Sequence, residues 1–125
     1  SPDNGALACQ GNTPTTDNFQ WQILPTGDGT YNLLQVKSSG LYLNIAGSST
    51  DNGALACQGN APTTSNYFWK IIPIPDTVLH MLQVQSSGQY LNILNASADN
   101  GAPACQGVLN TTDNFFWSIE EVIED

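Results

Sequence analysis

Positive charge is almost missing from this chain of 125 residues. There is no arginine; Lys37 and Lys70 are the only lysines, His80 is the single histidine, and 11 acidic residues bring the net charge to −9. A phosphate backbone would meet repulsion here with little to neutralise it, which excludes nucleic acid as a partner. Anionic membrane surfaces are disfavoured on the same ground. No apolar run approaches the roughly 20 residues that a spanning helix needs, so no membrane insertion is expected. Helical periodicity is also absent. With one histidine and no local Ser-His-Asp arrangement, and with most acids in turns or in the tail Glu120 to Asp125, catalysis has little to work with and no catalytic residue is assigned.

What is present is repetition. Asp3-Asn4-Gly5-Ala6-Leu7-Ala8-Cys9-Gln10-Gly11 returns as Asp51 to Gly59 and, with Pro103 as its one change, as Asp99 to Gly107. The step from Asp3 to Asp51 equals the step from Asp51 to Asp99, and Trp21, Trp69 and Trp117 keep it. Gln35/Gln83, Tyr42/Tyr90 and Asn44/Asn92 keep it too. Such a period means supersecondary units that bury a shared core against one another. Cys9, Cys57 and Cys105 fall one per repeat. Three equivalent thiols cannot form a closed set of disulfides, and no CxxC or adjacent histidine accompanies them, so they read as free, buried thiols without metal.

Each full repeat reads as four short strands. In the second these are Leu33 to Val36, Tyr42 to Ile45, Ala54 to Gln58 and Tyr67 to Ile72, separated by turn chemistry. Alternation sets Leu43 and Ile45 inward and leaves Tyr42 and Asn44 for solvent or ligand. Asp-Asn-Gly is a turn signal that tolerates positive φ at Asn and Gly. The chain divides as one domain, 1–125, with a partial first repeat (1–30), a second (31–78) and a third (79–125). The first repeat lacks counterparts of residues 31–48, its first two strands. An N-terminal truncation is the expectation, and unpaired edges keep a homo-oligomer open. The tryptophans read as a shared inner layer that holds the barrel.

The order of Ser38-Ser39-Gly40-Leu41-Tyr42-Leu43-Asn44-Ile45, then Asp51-Asn52-Gly53-Ala54, then Asn66-Tyr67-Phe68-Trp69 resembles the ricin B-type β-trefoil lectins over the whole chain. That family shows an SGxYLDV strand, a DGxxV turn and an NQxW strand. The resemblance implies an all-β trefoil with pseudo-threefold symmetry, a six-stranded barrel capped by three hairpins, and one shallow sugar pocket per repeat. The family's acid falls at Asn44 and Asn92, and its stacking aromatic at Gln10, Gln58 and Gln106. Its asparagine is kept as Asn18, Asn66 and Asn114, and its glutamine is replaced by Phe19, Tyr67 and Phe115. If the last strand ran through Asn66, strand parity would bring Phe68 and Phe116 beside the pocket as substitute stacking rings. The expected sugar-binding set is therefore Asn44, Gln58, Asn66 and Phe68, with Asn92, Gln106, Asn114 and Phe116, and with Gln10 and Asn18.

These features point to a lectin without metal or cofactor, a multivalent binder and haemagglutinin for neutral glycans. Terminal galactose or N-acetylgalactosamine is what the resemblance implies. A trefoil protease inhibitor or other protein-binding module is the alternative, as is the glycan-targeting module of a larger toxin or glycosidase. Low lysine content and a polar, turn-rich surface lean towards an extracellular protein, while free cysteines lean the other way.

Overall fold

In the computed structural model the described residues are Gly5, Ala8, 20–60, 62–94, Ser97, 100–108 and 113–119. They hold nine strands: β1 (Trp21–Pro25), β2 (Asn32–Val36), β3 (Tyr42–Ile45), β4 (Ala56–Gly59), β5 (Trp69–Pro73), β6 (Leu79–Val84), β7 (Tyr90–Ile93), β8 (Ala104–Gly107) and β9 (Trp117–Ser118). Three 3₁₀ turns accompany them, and no α-helix occurs among the described residues. The all-β, pseudo-threefold trefoil that the family resemblance implies is the fold. The strand expected in the first repeat around Ala6 to Gln10 lies outside the described residues apart from Ala8.

Two layers follow from the pairing. Barrel strands run β1-β2-β5-β6-β9, all antiparallel, with β1 fully in register against β2 from Trp21↔Val36 to Pro25↔Asn32. The same register recurs one repeat on, from Trp69↔Val84 to Pro73↔His80. Hairpins β3-β4 and β7-β8 lie on the other layer, joined to the barrel at Gln35↔Tyr42 and Gln83↔Tyr90. Leu34, Leu43, Ile45, Trp69, Leu82, Val84, Leu91 and Ile93 fill the space between the layers. Burying each such side chain contributes roughly 1.5–3 kcal/mol.

Repeats meet at the pseudo-axis through small residues. Ala8 N donates to Ala56 O (2.9 Å), Ala104 N donates to Ala8 O (2.8 Å), and Leu55 bridges to Cys105. Only a methyl fits there: Ala56 is fully buried and Ala104 nearly so. In the Asp-Asn-Gly turns Gly5, Gly53 and Gly101 take positive φ. Each of the first two hands its amide to the next repeat, Gly5 N to Gln58 O (2.6 Å) and Gly53 N to Gln106 O (2.8 Å).

Three expectations change. The cap strands are buried on both faces, so Asn44 and Asn92 are not solvent-facing although Leu43 and Leu91 point to the core as alternation requires. The fourth strand begins at Trp69, because Ser65–Tyr67 turns as a 3₁₀ segment, and the same happens at Asp113–Phe115. Strand parity therefore does not apply to Asn66 and Phe68. The three tryptophans are also unequal. Trp69 is 0% exposed and Trp117 half-buried, whereas Trp21 is 43% exposed. Trp69 Nε1 donates to Leu43 O and Trp117 Nε1 to Leu91 O, both at 3.0 Å. Both acceptors lie on the second strand of the tryptophan's own repeat.

Candidate functional site

In the second repeat β3 carries Asn44, β4 carries Gln58 and the following 3₁₀ turn carries Asn66. Asn44 and Asn66 meet: Asn66 Nδ2 donates to Asn44 Oδ1 (3.4 Å) and to Ile45 O (3.2 Å). Asn44 Nδ2 in turn donates to Tyr42 O (3.3 Å) and Cys57 O (3.2 Å), and Cys57 Sγ donates to Asn44 Oδ1 (3.6 Å). Thr64 Oγ1 closes on Asn66 Oδ1. All four hydrogen-bonding positions of the Asn44 amide are thus engaged inside the protein. An aspartate there would set oxygen against two carbonyls, which accounts for asparagine at the position where the resembling family has an acid.

The third repeat reproduces this arrangement. Asn92 Nδ2 donates to Tyr90 O and Cys105 O (both 3.3 Å), Cys105 Sγ donates to Asn92 Oδ1 (3.5 Å), and Asn114 Nδ2 donates to Asn92 Oδ1 (3.4 Å) and Ile93 O (3.3 Å). The two clusters are near-copies bond for bond. Burial raises both thiols above the ordinary range, and the bonds to Asn44 and Asn92 offset part of that rise. Cys57 and Cys105 are free and buried, as the spacing predicts; Cys9 lies outside the described residues.

Gln58 and Gln106 do not join the asparagines. Ser39 Oγ donates to Gln58 Oε1 (2.8 Å) and Ser87 Oγ to Gln106 Oε1 (2.7 Å). Gln106 Nε2 reaches across the repeat boundary to Ser49 O (3.0 Å) and Asp51 O (2.8 Å), and its side chain is fully buried. Val108 N to Asn52 Oδ1 (3.2 Å) and Gln89 Nε2 to Thr50 O (2.7 Å) fasten the same turn. Gln106 is thus the bolt between the second and third repeats. Strand patterning missed it because its partners lie 55 and 57 residues away.

Tyr67 and Phe115 occupy ground that no spacing argument assigned. A Cβ built on Gly59 would run into Tyr67 Oη and lie 2.9 Å from Asn44 Nδ2. At Gly107 it would lie 2.9 Å from Asn92 Nδ2 and 3.2 Å from Phe115 Cζ. The ring of each repeat therefore closes the space beside its asparagine. The signal was legible as the aromatic replacing the glutamine of NQxW. Phe68 and Phe116 stay half-buried and offer ring surface. Phe68 O accepts from Gln85 N (2.9 Å), which sets that residue on the seam with the third repeat. Gln10 and Asn18 lie outside the described residues. Among the described residues no group of three or more His, Cys, Asp or Glu could hold a metal ion, and no helix is long and apolar enough to cross a membrane.

A three-repeat β-trefoil with matching amide clusters in its second and third repeats defines a lectin-type module. The chain belongs to the ricin-type beta-trefoil lectin domain-like family, whose pattern matches residues 1–58 and again 20–107. Family and fold make it a carbohydrate-binding module. Its structure is similar to the designed 3-fold symmetric protein ThreeFoil (30% identity, TM-score 0.93), covering 98% of this chain and 86% of that one. It is also similar to 1,3Gal43A, an exo-beta-1,3-galactanase from Clostridium thermocellum (23% identity, TM-score 0.89), covering 94% of this chain but 25% of the enzyme. The Rhizoctonia solani agglutinin (20% identity, TM-score 0.81) is matched over 96% of this chain and 81% of its own. No curated protein matches the chain significantly.

Proposed function

We propose that this protein binds neutral glycans through terminal galactose or N-acetylgalactosamine, at one shallow site per repeat, without catalysing a reaction. The observation that carries the reading is the duplicated site: two repeats hold the same asparagine pair, the same buried thiol and the same half-buried ring in one geometry, inside a lectin family. Sugar docks on the outer rim of each cluster, against Phe68 and Phe116, above a floor set by Asn44 and Asn66 or Asn92 and Asn114. Gln58 and Gln106 fix the strand beneath, and by the repeat period Gln10 and Asn18 are the counterparts of Gln58 and Asn66 in the first repeat. The net charge of −9 favours uncharged saccharides over sialylated or sulfated ones. Sites of modest affinity on one body give avidity, and hence agglutination, when two reach the same cell surface. The likeness to a module of an exo-beta-1,3-galactanase supports this sugar class, and the likeness to an agglutinin supports agglutination. Replacing Phe68 and Phe116 together with alanine is the test. Binding to immobilised galactosides should fall at least tenfold while the fold is retained, and undiminished binding would place the sites elsewhere.

A further inference from the structure

We infer that Asn52-Gly53 is a modification site on the seam between the second and third repeats, a spontaneous succinimide switch that the closed seam restrains and an opened seam releases. Asparagine followed by glycine is the pair at which this reaction meets least obstruction, because no Cβ stands beside the backbone nitrogen. The Gly53 amide nitrogen loses its proton and attacks Asn52 Cγ. The N–Cγ bond forms, the Cγ–Nδ2 bond breaks, and Nδ2 leaves as ammonia carrying that proton. Water then adds to one or other carbonyl of the cyclic imide and reopens it, which leaves aspartate or isoaspartate at residue 52. Neither an oxidant nor an enzyme is needed.

Space does not restrain the reaction at this turn. Asn52 is exposed, so water reaches it, and a Cβ built on Gly53 would meet nothing within 4 Å. Hydrogen bonds supply the restraint. Gly53 N donates to Gln106 O (2.8 Å), which keeps the proton on the attacking nitrogen and aims it at the third repeat. Asn52 Oδ1 accepts from Val108 N (3.2 Å) and lies over Gly107, 3.4 Å from where a Cβ would stand there, so the carbon under attack is pinned as well. The residue before them is fixed by Gln106 Nε2 on Asp51 O (2.8 Å) and by Asp51 N on Ser49 Oγ (3.0 Å). Nucleophile and electrophile are thus both held by residues 106–108 of the third repeat, and parting the two repeats frees them together. The products differ in what they leave of the seam. Aspartate keeps the backbone, and its carboxylate can still accept from Val108 N. Isoaspartate routes the chain through the former side chain and adds a backbone atom between Asp51 O and Gly53 N, which then no longer fit Gln106 Nε2 and Gln106 O at once. Opening followed by isoaspartate formation is therefore one-way.

The test incubates the whole folded protein at mildly alkaline pH and reads residue 52 by mass and isoaspartate content. Cleavage after Lys37 and Lys70 releases residues 38–70, which contain no other Asn-Gly pair. A synthetic peptide of residues 47–56 gives the unrestrained rate. Conversion in the folded protein should be slower by about tenfold or more. Val108→Pro, which removes the N–H that Asn52 Oδ1 accepts, and Gln106→Ala should each speed it. Wild type in urea short of its transition should be speeded too, which keeps the test whole if a variant fails to fold. Isoaspartate-bearing protein, separated by its added charge, should melt below wild type and below Asn52→Asp, which carries the charge on an unaltered backbone. Conversion as fast in the folded protein as in the peptide, or a rate that neither the variants nor urea changes, would overturn the inference. So would an isoaspartate form that melts with wild type.

Discussion

Replacing Gln106 with alanine separates a structural seam from a ligand contact. The wild-type side chain is fully buried, donates to Ser49 O and Asp51 O, and accepts from Ser87 Oγ. Three hydrogen bonds at about 1 kcal/mol each amount to about 3 kcal/mol. Asp51 O keeps the bond from Ala54 N (3.2 Å) and Ser87 Oγ the bond from Gln89 N (3.1 Å), which limits the further penalty for stranded groups. Unfolding entropy of about 2.1 cal/mol/K per residue converts about 3 kcal/mol into a midpoint lower by about 10 °C for a chain of this length. Differential scanning calorimetry reads that shift directly, with glycan binding measured well below the transition on the same samples. Gln106→Glu should be at least as damaging, because a carboxylate cannot donate to the two carbonyls. A midpoint within about 3 °C of wild type, together with lost glycan binding, would refute the reasoning and return Gln106 to the ligand.

Gly59→Ala should cost about 1–3 kcal/mol by overpacking against Tyr67 Oη and Asn44 Nδ2, and more than Gly107→Ala, which meets a phenyl ring without the hydroxyl; Tyr67→Phe should recover part of the difference in urea melts. Asn66→Ala with Asn114→Ala should lower the thermal midpoint as well as weaken agglutination, since each asparagine braces the neighbouring cap strand; an unchanged midpoint would mean that these bonds contribute nothing. The two buried thiols give a pH dependence. With burial holding their folded values above those of the unfolded chain, stability is complete below about pH 8.5 and declines as pH rises towards the folded values, because only the unfolded chain releases those protons. Urea midpoints at pH 7 and pH 9.5 should differ, and Cys57→Ala with Cys105→Ala should reduce the difference.

Sequence reading succeeded where the period carried the information. A fixed step between copies, joined to strand patterning, is enough for repeated units of short strands and for the free thiols Cys57 and Cys105, while the trefoil itself came from the family resemblance. It misplaced Asn44 and Asn92 because alternation assumes that one face of a strand meets water, whereas β3 and β7 are covered on both. It paired Asn66 with Phe68 because nothing in Ser65-Asn66-Tyr67 announces a 3₁₀ turn rather than a strand start. Gln106 stood among the expected sugar-binding residues, and its bonds across the seam escaped because their acceptors sit in another repeat, a span that leaves no mark on local pattern. Trp21 looked like Trp69 because identity of residue does not reveal which strands are there to cover it.

Recognition of neutral, galactose-type glycans is tested most directly by a glycan array probed with protein of verified intact mass. Retention on glycans ending in galactose or N-acetylgalactosamine, competed by the free sugar and weakened by terminal sialic acid, is the predicted result. An array on which no glycan is retained, or on which only charged glycans are, would contradict it.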